Sequence, residues 1–192
     1  MKKLVLFRHG ETDLNREHRV QGVSDYPLNS VGIKQAEDLA LRLKNQGISH
    51  IVSSDLKRAH QTASIVAISN VCPITIYPEL REQNYGQIEL QPLAYVRQQY
   101  ADICKIMDDT DHPLTNSVVF PDAESRMDVF LRASGRLESI SRTFSDVCIG
   151  ASTHAGVISS LMGVEFNKTV HLRNGEHLIL FYDGKHFVDY VI

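Results

Sequence analysis

The stretch that decides the fold is Leu4-Val5-Leu6-Phe7-Arg8-His9-Gly10-Glu11-Thr12. Its four apolar residues in a row predict a strand that is buried on both faces, as in a parallel sheet. The run stops at an arginine and a histidine, so both side chains should lie in the crevice where open α/β sheets bind ligands. The glycine allows a tight turn or a close approach of the backbone to a ligand. A strand end with solvated basic residues is the alternative, and the rest of the chain decides between the two.

Length and composition indicate one globular domain. A chain of 192 residues can bury roughly 70% of its extended surface, and we predict a single domain over residues 1–192. The hydrophobic fraction of 43% and the charged fraction of 22% are ordinary. A net charge of −3 gives no basic field, so we expect no nucleic-acid partner. No stretch approaches the length of a membrane span, so we expect no membrane partner either.

The three cysteines, Cys72, Cys104 and Cys148, are odd in number and lack C-x-x-C spacing. We interpret them as reduced packing residues of a cytoplasmic protein, and not as disulfides or a zinc site. The chain begins with Met1-Lys2-Lys3 and an apolar run, as a signal peptide would. Because that run is short and ends in Arg8-His9, we do not expect export.

The rest of the chain alternates apolar strands with helical patterns. Further strands are predicted at 48–53, 71–78, 147–151, 178–182 and 186–191, with the last two joined as a hairpin through 183–185. Helices are predicted after Asn29-Ser30 as far as Gly47, from about 56, from 92 to 107, from 124 to 144 and from 155 to 163. The fold class is therefore α/β: a three-layer sandwich with a mostly parallel central sheet and a C-terminal antiparallel hairpin.

Residues from about 82 to 122 interrupt this alternation. A helix starting near Pro92 is followed by an acidic, proline-bearing segment. We predict a small helical cap insertion that lies over the sheet edge and covers the crevice. Four of its residues predict an acidic rim that repels substrates with several phosphates: Asp108, Asp109, Asp111 and Asp122.

Cationic and imidazole groups follow short apolar strands at three places, namely Arg8-His9, Arg58 and His154. In a parallel sheet these strand ends lie on one side, so the groups can converge. Two arginines, two histidines and two helix N-termini predict an anion site, most naturally for a phosphoryl group. The glycine-rich loops of nucleotide-binding folds are absent from the sequence, which leaves nucleotide binding unsupported.

Arg8-His9-Gly10-Glu11-Thr12 resembles the signature of the histidine phosphatase superfamily, which includes phosphoglycerate mutases. Other segments resemble that family in the same order: Gln21-Gly22, Pro27-Leu28-Asn29 to Gly32 with Gln35-Ala36, 53–63, Leu80-Arg81-Glu82, Tyr85-Gly86, Glu124-Ser125 and His154-Ala155-Gly156-Val157. The likeness covers nearly the whole chain. Three places depart from it: Ala155-Gly156 stands for a common Gly-Gly, 87–90 lacks a common glycine, and 121–124 replaces Pro-Gly-Gly-Glu.

The resemblance implies a catalytic or binding role for each matching position. His9 would be the nucleophile that accepts the phosphoryl group, and Glu82 would be the general acid that protonates the leaving oxygen. Arg8, Arg58 and His154 would take part in catalysis by holding the phosphoryl oxygens. Further phosphate-binding groups would come from Asn15, Gln21, Gly22 and the backbone N–H of Ala155.

The implied activity is hydrolysis of a small-molecule phosphate ester through a phosphohistidine. Arginines would supply the charge stabilisation that a metal supplies elsewhere, so we expect a metal-independent phosphomonoesterase of the histidine acid phosphatase type, without a cofactor. Two alternatives stay open: a phosphoglycerate-mutase-type phosphotransferase and a non-catalytic phosphate- or phosphoprotein-binding module. Dedicated mutases of the family are longer, which favours hydrolysis, and the intact His9 and Glu82 argue against the binding module. A homodimer is also left open.

Overall fold

A computed structural model describes residues 1–109, 111–145 and 148–192, and a six-stranded sheet forms its centre. The strands are β1 (Lys2–Arg8), β2 (His50–Ser53), β3 (Ile74–Ile76), β4 (Cys148–Thr153), β5 (His177–Tyr182) and β6 (Phe187–Val191). The helices are α1 (Asp13–Arg16), α2 (Ser30–Leu43), α3 (Lys57–Asn70), α4 (Leu93–Gln99), α5 (Ala101–Asp108), α6 (Arg126–Thr143) and α7 (Ala155–Phe166). Two short 3-10 helices cover Pro78–Leu80 and Gly86–Ile88.

The strand order in the sheet is β3-β2-β4-β1-β5-β6. The first four strands are mutually parallel, whereas β5 pairs antiparallel with β1 and with β6. The mostly parallel sheet with a C-terminal antiparallel hairpin is therefore confirmed. Strand β1 lies between β4 and β5, and the side chains from Leu4 to Phe7 are at most 1% exposed. The opening stretch is thus a strand buried on both faces, as predicted.

Helices cover both faces of the sheet, and the alternation of β1 side chains shows how. Leu4 and Leu6 belong to a core with apolar residues of α6 and α7, whereas Val5 and Phe7 belong to a second core with residues of α2 and α3. Each face of β1 thus has its own helical layer. The predicted three-layer sandwich is confirmed.

Element boundaries differ from the prediction at a few places. The helix expected over 92–107 is two helices, because Tyr100 adopts φ −121° and ψ 42° between α4 and α5. Its ring packs edge-on against Phe120, with centroids 5.6 Å apart. The strand expected over 147–151 is described from Cys148 onward, since Val147 lies outside the described residues. The strand expected over 71–78 is limited to β3.

The segment predicted as a cap contains its own small cluster of buried residues, formed by Ile88, Val96, Cys104 and Phe120. Backbone contacts tie it to the loop that follows α1: Leu93 N donates to the carbonyl of His18, and Val20 N donates to Gln91. The cap therefore covers the chain that leaves the Arg8-His9 stretch. Over the described ranges no helix is long and apolar enough to cross a membrane, and the three cysteines are free thiols.

Helix α3, which carries Arg58 in its first turn, ends at a residue in the left-handed conformation. Val71 has φ 53° and ψ 49° there, and its side chain is 92% exposed. A β-branched residue is strained in this conformation, whereas glycine adopts it freely.

Replacing Val71 by glycine should therefore raise the free energy of unfolding by about 1 kcal/mol, since strain is relieved and almost no buried surface is lost. Urea unfolding at neutral pH measures the change. The control is Ile68→Gly, an exposed position inside α3, which should lower the free energy of unfolding by about 0.5 to 1 kcal/mol. A Val71→Gly variant less stable than the original chain would contradict the strain.

Candidate active site

The strand ends deliver the predicted groups to one place. His9 directly follows β1, Arg58 is in the first turn of α3 after β2, and His154 lies between β4 and α7. The rings of His9 and His154 have centroids 5.2 Å apart. The Nε of Arg58 lies 3.2 Å from Nε2 of His9. The predicted convergence of these groups is therefore observed.

A cavity of about 460 Å³ opens above His9. Six of the predicted site residues line it: Arg8, His9, Asn15, Gln21, Glu82 and Ala155. Apolar and aromatic residues form much of the remaining wall: Val20, Tyr85, Ile88, Leu93, Val96, Cys104, Met107 and Phe120. Arg58, His154 and Gly22 are not part of this lining; Arg58 and His154 are completely buried. We call this cavity the catalytic chamber.

The surroundings of His9 determine which ring nitrogen carries the proton. Its Nδ1 lies 2.6 Å from the carbonyl oxygen of Gly10, which can only accept, so Nδ1 bears the hydrogen. Nε2 then accepts from Nε of Arg58. Burial, together with the charges of Arg58 and Arg8, holds the pKa of His9 well below 6.5. The imidazole is therefore neutral, with its lone pair on Nε2.

Arg58 is held by backbone carbonyls of the loop after α1. Its Nη1 donates to Ser24 at 2.9 Å and its Nη2 donates to Gly22 at 2.6 Å. Burial lowers the pKa of Arg58 to about 10, so the guanidinium stays charged at neutral pH. Gly22, predicted to bind phosphate, thus orients the arginine through its carbonyl oxygen.

The same loop is clamped by Glu89 of the cap. The Glu89 carboxylate accepts from the backbone N–H groups of Val23 and Ser24, each at 2.9 Å, and from the Ser24 hydroxyl. A Cβ at Gly22 would collide with the Glu89 carboxylate, so glycine is required for this approach. The sequence indicates no role for Glu89, because nothing in the segment 87–90 shows which remote loop it contacts.

His154 is the N-cap residue of α7 and is completely buried. Its Nε2 lies 2.9 Å from the Ser54 hydroxyl, while its Nδ1 has no hydrogen-bond partner among the described residues. Burial, followed by the charge of Arg58, holds the pKa of His154 well below 6.5. Since the first N–H groups of a helix lack internal partners, the N–H of Ala155 is a further donor available here.

Glu82 is fixed from both sides by backbone groups. Its Oε2 accepts from Gly156 N at 3.1 Å and its Oε1 accepts from Gln83 N at 2.9 Å. A Cβ at Gly156 would collide with the Glu82 carboxylate. Glycine is therefore required at position 156, and it is present there, although Ala155 replaces the first glycine of the common Gly-Gly pair. Behind the carboxylate, Arg132 donates to the backbone carbonyl of Glu82 at 3.0 Å.

Unpartnered nitrogen atoms indicate what the site binds. Five buried side-chain polar atoms in the described part of the chain lack a partner, and three of them belong to predicted site residues: Arg8 Nε, Gln21 Nε2 and His154 Nδ1. Buried polar groups are normally hydrogen-bonded. An arginine or amide nitrogen donates, and so does a ring nitrogen that carries the proton, so all three can be satisfied by acceptor oxygens. A tetrahedral oxyanion supplies such oxygens.

Asn15 and Asn174 lie together at the wall of the catalytic chamber. Asn15 Oδ1 accepts from Thr12 N at 3.1 Å and from Asn174 Nδ2 at 3.3 Å. Asn174 Nδ2 also lies 3.0 Å from the carbonyl oxygen of His9. The sequence does not identify Asn174 as a site residue, because Asn174 lies in an irregular segment without a motif and reaches the site only through the fold.

The acidic rim expected from four aspartates is wrong. Of the four, Asp108 alone is among the residues that line the catalytic chamber, and it forms an ion pair with Arg97 at 2.7 Å. Asp122 accepts from the side-chain amide of Gln87. Arg19 and Arg97 also line the chamber, so its mouth carries both signs of charge. Composition alone does not show which aspartates are paired.

The two buried neutral imidazoles should make stability depend on pH. Below about pH 6.5 the unfolded chain takes up protons on His9 and His154 while the folded chain does not. The free energy of unfolding should therefore fall with decreasing pH, by up to about 1.4 kcal/mol per pH unit and histidine.

Replacing His154 by asparagine should reduce this slope by up to about 1.4 kcal/mol per pH unit, which is the contribution of one histidine. Urea unfolding from about pH 7.5 down to about pH 5 measures the slope. The exposed His60, replaced by asparagine, is the control and should leave the slope as it is. An unchanged slope in His154→Asn would show that its imidazole is not buried in the neutral form.

Known proteins resemble this chain in sequence and in fold. The family model "Histidine phosphatase superfamily (branch 1)" matches residues 4–187. The probable phosphoglycerate mutases GpmB of Yersinia pestis and Yersinia pseudotuberculosis are 50% identical over 95 residues, which are 48% of this chain and 43% of theirs. The match thus spans less than half the length of these curated relatives.

Two solved structures resemble the whole chain. YhfR of Bacillus stearothermophilus has a TM-score of 0.86 at 28% identity, covering 98% of this chain and 95% of that one. A mycobacterial glucosyl-3-phosphoglycerate phosphatase in complex with VO3 has a TM-score of 0.85 at 24% identity, covering 94% and 93%. With the family model matching nearly the full length, the chain belongs to the histidine phosphatase superfamily, branch 1.

Proposed function

We propose that this protein hydrolyses a small-molecule phosphate monoester through a phosphohistidine intermediate on His9. The observation that carries the proposal is the neutral, buried imidazole of His9 surrounded by unpartnered nitrogen donors. A neutral imidazole is a nucleophile, whereas an imidazolium is not. Arg8 and Gln21 line the same chamber as His9, and the ring centroid of His154 lies 5.2 Å from that of His9, so these donors are available to the oxygens of a phosphoryl group.

In the first step the phosphoryl oxygens accept hydrogen bonds from Arg8 Nε, Gln21 Nε2 and His154 Nδ1. The hydrogen bond from Arg58 to His9 passes to a phosphoryl oxygen, which frees the Nε2 lone pair. Nε2 then forms a bond to phosphorus while the bond from phosphorus to the leaving oxygen breaks. Glu82, in its protonated form, gives its proton to that oxygen, so the alcohol leaves neutral.

In the second step a water molecule replaces the leaving alcohol. Glu82 takes a proton from this water as its oxygen attacks phosphorus, and the bond to Nε2 breaks. Inorganic phosphate leaves, and His9 is neutral again. The Glu82 carboxylate is held by Gly156 N and Gln83 N, which keep the group in the same position for both steps.

Charge stabilisation in both steps comes from two guanidinium groups. Arg58 is charged although completely buried, and Arg8 lines the catalytic chamber. Preorganised charges of this kind are the largest contribution to phosphoryl transfer in many enzymes. We therefore propose a metal-independent phosphomonoesterase of the histidine acid phosphatase type. The free thiols support a cytoplasmic location as part of the proposal.

A phosphoglycerate-mutase-type reaction is the second candidate, favoured by the 50% identity with the GpmB relatives. It shares the first step and differs in the acceptor of the phosphoryl group. The chamber wall formed by Ile88, Leu93, Val96 and Phe120 is apolar, so the polar groups that could orient a second substrate are those elsewhere in the lining, such as Arg19 and Arg97. In the reaction that we propose, water is the acceptor.

Labelling of the intermediate tests the proposal. An aryl phosphate that carries a label on its phosphoryl group is mixed with the protein in excess chelator. The reaction is quenched in base, and the labelled peptide is then identified by mapping. We expect label on His9, none in His9→Ala, and labelling slower by about 10² to 10³ in His154→Ala, as for a lost electrostatic contact.

The exposed His60, replaced by alanine, is the control and should label like the original chain. Label on His154, label that persists in His9→Ala, or a need for added divalent metal would contradict the proposal. A label that is stable in water but passes quickly to an added phosphoglycerate would favour the mutase reaction.

Replacing Glu82 by glutamine should separate substrates by their leaving groups. Phosphorylation by alkyl phosphates should slow by about 10² to 10⁴, because the alkoxide needs a proton, whereas nitrophenyl phosphate should change little. The control is Glu89→Gln: it weakens the clamp behind Arg58 and should slow both substrates by the same factor. Stopped-flow single turnovers measure both rates. Equal decreases in the two phosphorylation rates in Glu82→Gln would show that Glu82 is not the general acid.

A further inference from the structure

A second cavity of about 230 Å³ adjoins the catalytic chamber. Met107 and Asp108, at the C-terminal end of α5, line both cavities, so the two cavities are neighbours there. Further residues of its lining include Thr115, Arg126, Lys168 and His171. None of these four was assigned a function above. We call this cavity the side cavity.

The charges in the side cavity are mostly positive and unpaired. Neither Arg126 nor Lys168 forms an ion pair within 4.0 Å with any residue that the structure describes. Asp108 supplies the carboxylate of the lining, but Arg97 already neutralises it at 2.7 Å. A concave site with unpaired cations favours an anionic ligand.

A buried hydroxyl in the same cavity lacks a partner. Thr115 is 5% exposed, and its Oγ1 has no hydrogen-bond partner among the described residues. A buried hydroxyl without a partner costs free energy, so such groups are normally satisfied. An oxygen of a bound anion would accept from it. The unpartnered hydroxyl and the unpaired cations therefore point independently to the same kind of ligand.

Helix α7 gives the distance between the two cavities. Ala155 lines the catalytic chamber, whereas Ser159 and Gly163 line the side cavity. At 1.5 Å per residue these positions lie about 6 and 12 Å further along the helix. Arg126 is also close enough to Tyr85, a wall residue of the catalytic chamber, for its charge to counteract the rise in the Tyr85 pKa. The separation of the two cavities is therefore comparable with the length of a leaving group of moderate size.

We propose that the side cavity binds a second anionic group of the substrate, a carboxylate or a second phosphate. This inference rests on the proposed function. The group lies about 6 to 12 Å from the phosphoryl group that is transferred. Arg126 and Lys168 pair with it, and the Thr115 hydroxyl donates to it. The substrates are thus phosphate monoesters with a distal anion, and the apolar chamber wall contacts the chain between the two charges.

Two matched substrates test the inference: hexyl phosphate and 6-phosphooxyhexanoate, whose extended chain reaches from one cavity to the other. We expect kcat/KM to be about tenfold higher for the carboxylate-bearing substrate, the size expected of one charged hydrogen bond. Arg126→Gln should remove most of this preference while kcat/KM for nitrophenyl phosphate stays within about twofold. The control is Arg142→Gln, the same substitution near the other end of α6, which should keep the preference.

Thr115→Val provides a second variant, because valine has nearly the same shape without the hydroxyl. We expect it to lower the preference about threefold; an unchanged preference would show that Thr115 does not bind the anion.

Equal kcat/KM for the two hexyl substrates in the original chain would overturn the inference while the proposed function stands. No hydrolysis of any phosphate ester would instead overturn the proposed function. Sodium sulfate serves as a probe for binding of a free anion. If sulfate changes nitrophenyl phosphate hydrolysis in the original chain but not in Arg126→Gln, and the two hexyl substrates are hydrolysed equally, the cavity binds a free anion and the inference is overturned.

Discussion

The hydrogen bond from His9 Nδ1 to the carbonyl of Gly10, at 2.6 Å, is the interaction on which the site depends. It assigns the ring proton to Nδ1 and leaves the lone pair on Nε2 beside Arg58. The loop geometry behind it is tightly constrained: Gly10 N donates to the Thr62 hydroxyl at 3.1 Å, and a Cβ at Gly10 would collide with the backbone of Gly32. A substitution of Gly10 would move the carbonyl, and with it the tautomer of the histidine.

Two chains of contacts hold charged groups around this histidine. One runs from Glu89 in the cap through the loop 22–24 to Arg58, and the other runs from Arg132 through the backbone of Glu82 to its carboxylate. A completely buried guanidinium is costly unless its donors are satisfied. Arg58 has an acceptor for each of its three nitrogens. The cap holds the loop 22–24 through Glu89 and therefore stabilises the buried charge of Arg58, which the sheet alone would leave without enough acceptors.

The sheet and the main site residues could be predicted because they depend on local patterns. Four apolar residues in a row identify β1, and parallel strands must end on the same side, so Arg8, His9, Arg58 and His154 had to converge. Contacts between remote segments could not be predicted in this way. Glu89 and Ser24 are 65 positions apart and Asn174 and His9 are 165 apart, and no periodicity links such pairs. The break between α4 and α5 has the same origin, since Tyr100 packs against Phe120 from the far end of the cap.

The position of the ring proton of His9 is tested directly by ¹⁵N NMR of protein labelled at its histidine rings. With the His9 signals assigned by comparison with His9→Asn, spectra near neutral pH should show a neutral ring with hydrogen on Nδ1 and an unprotonated Nε2. The signals should keep this form as the pH is lowered well below 6.5, because the pKa of the buried ring is depressed. An imidazolium at neutral pH, or a neutral ring with hydrogen on Nε2, would contradict the account.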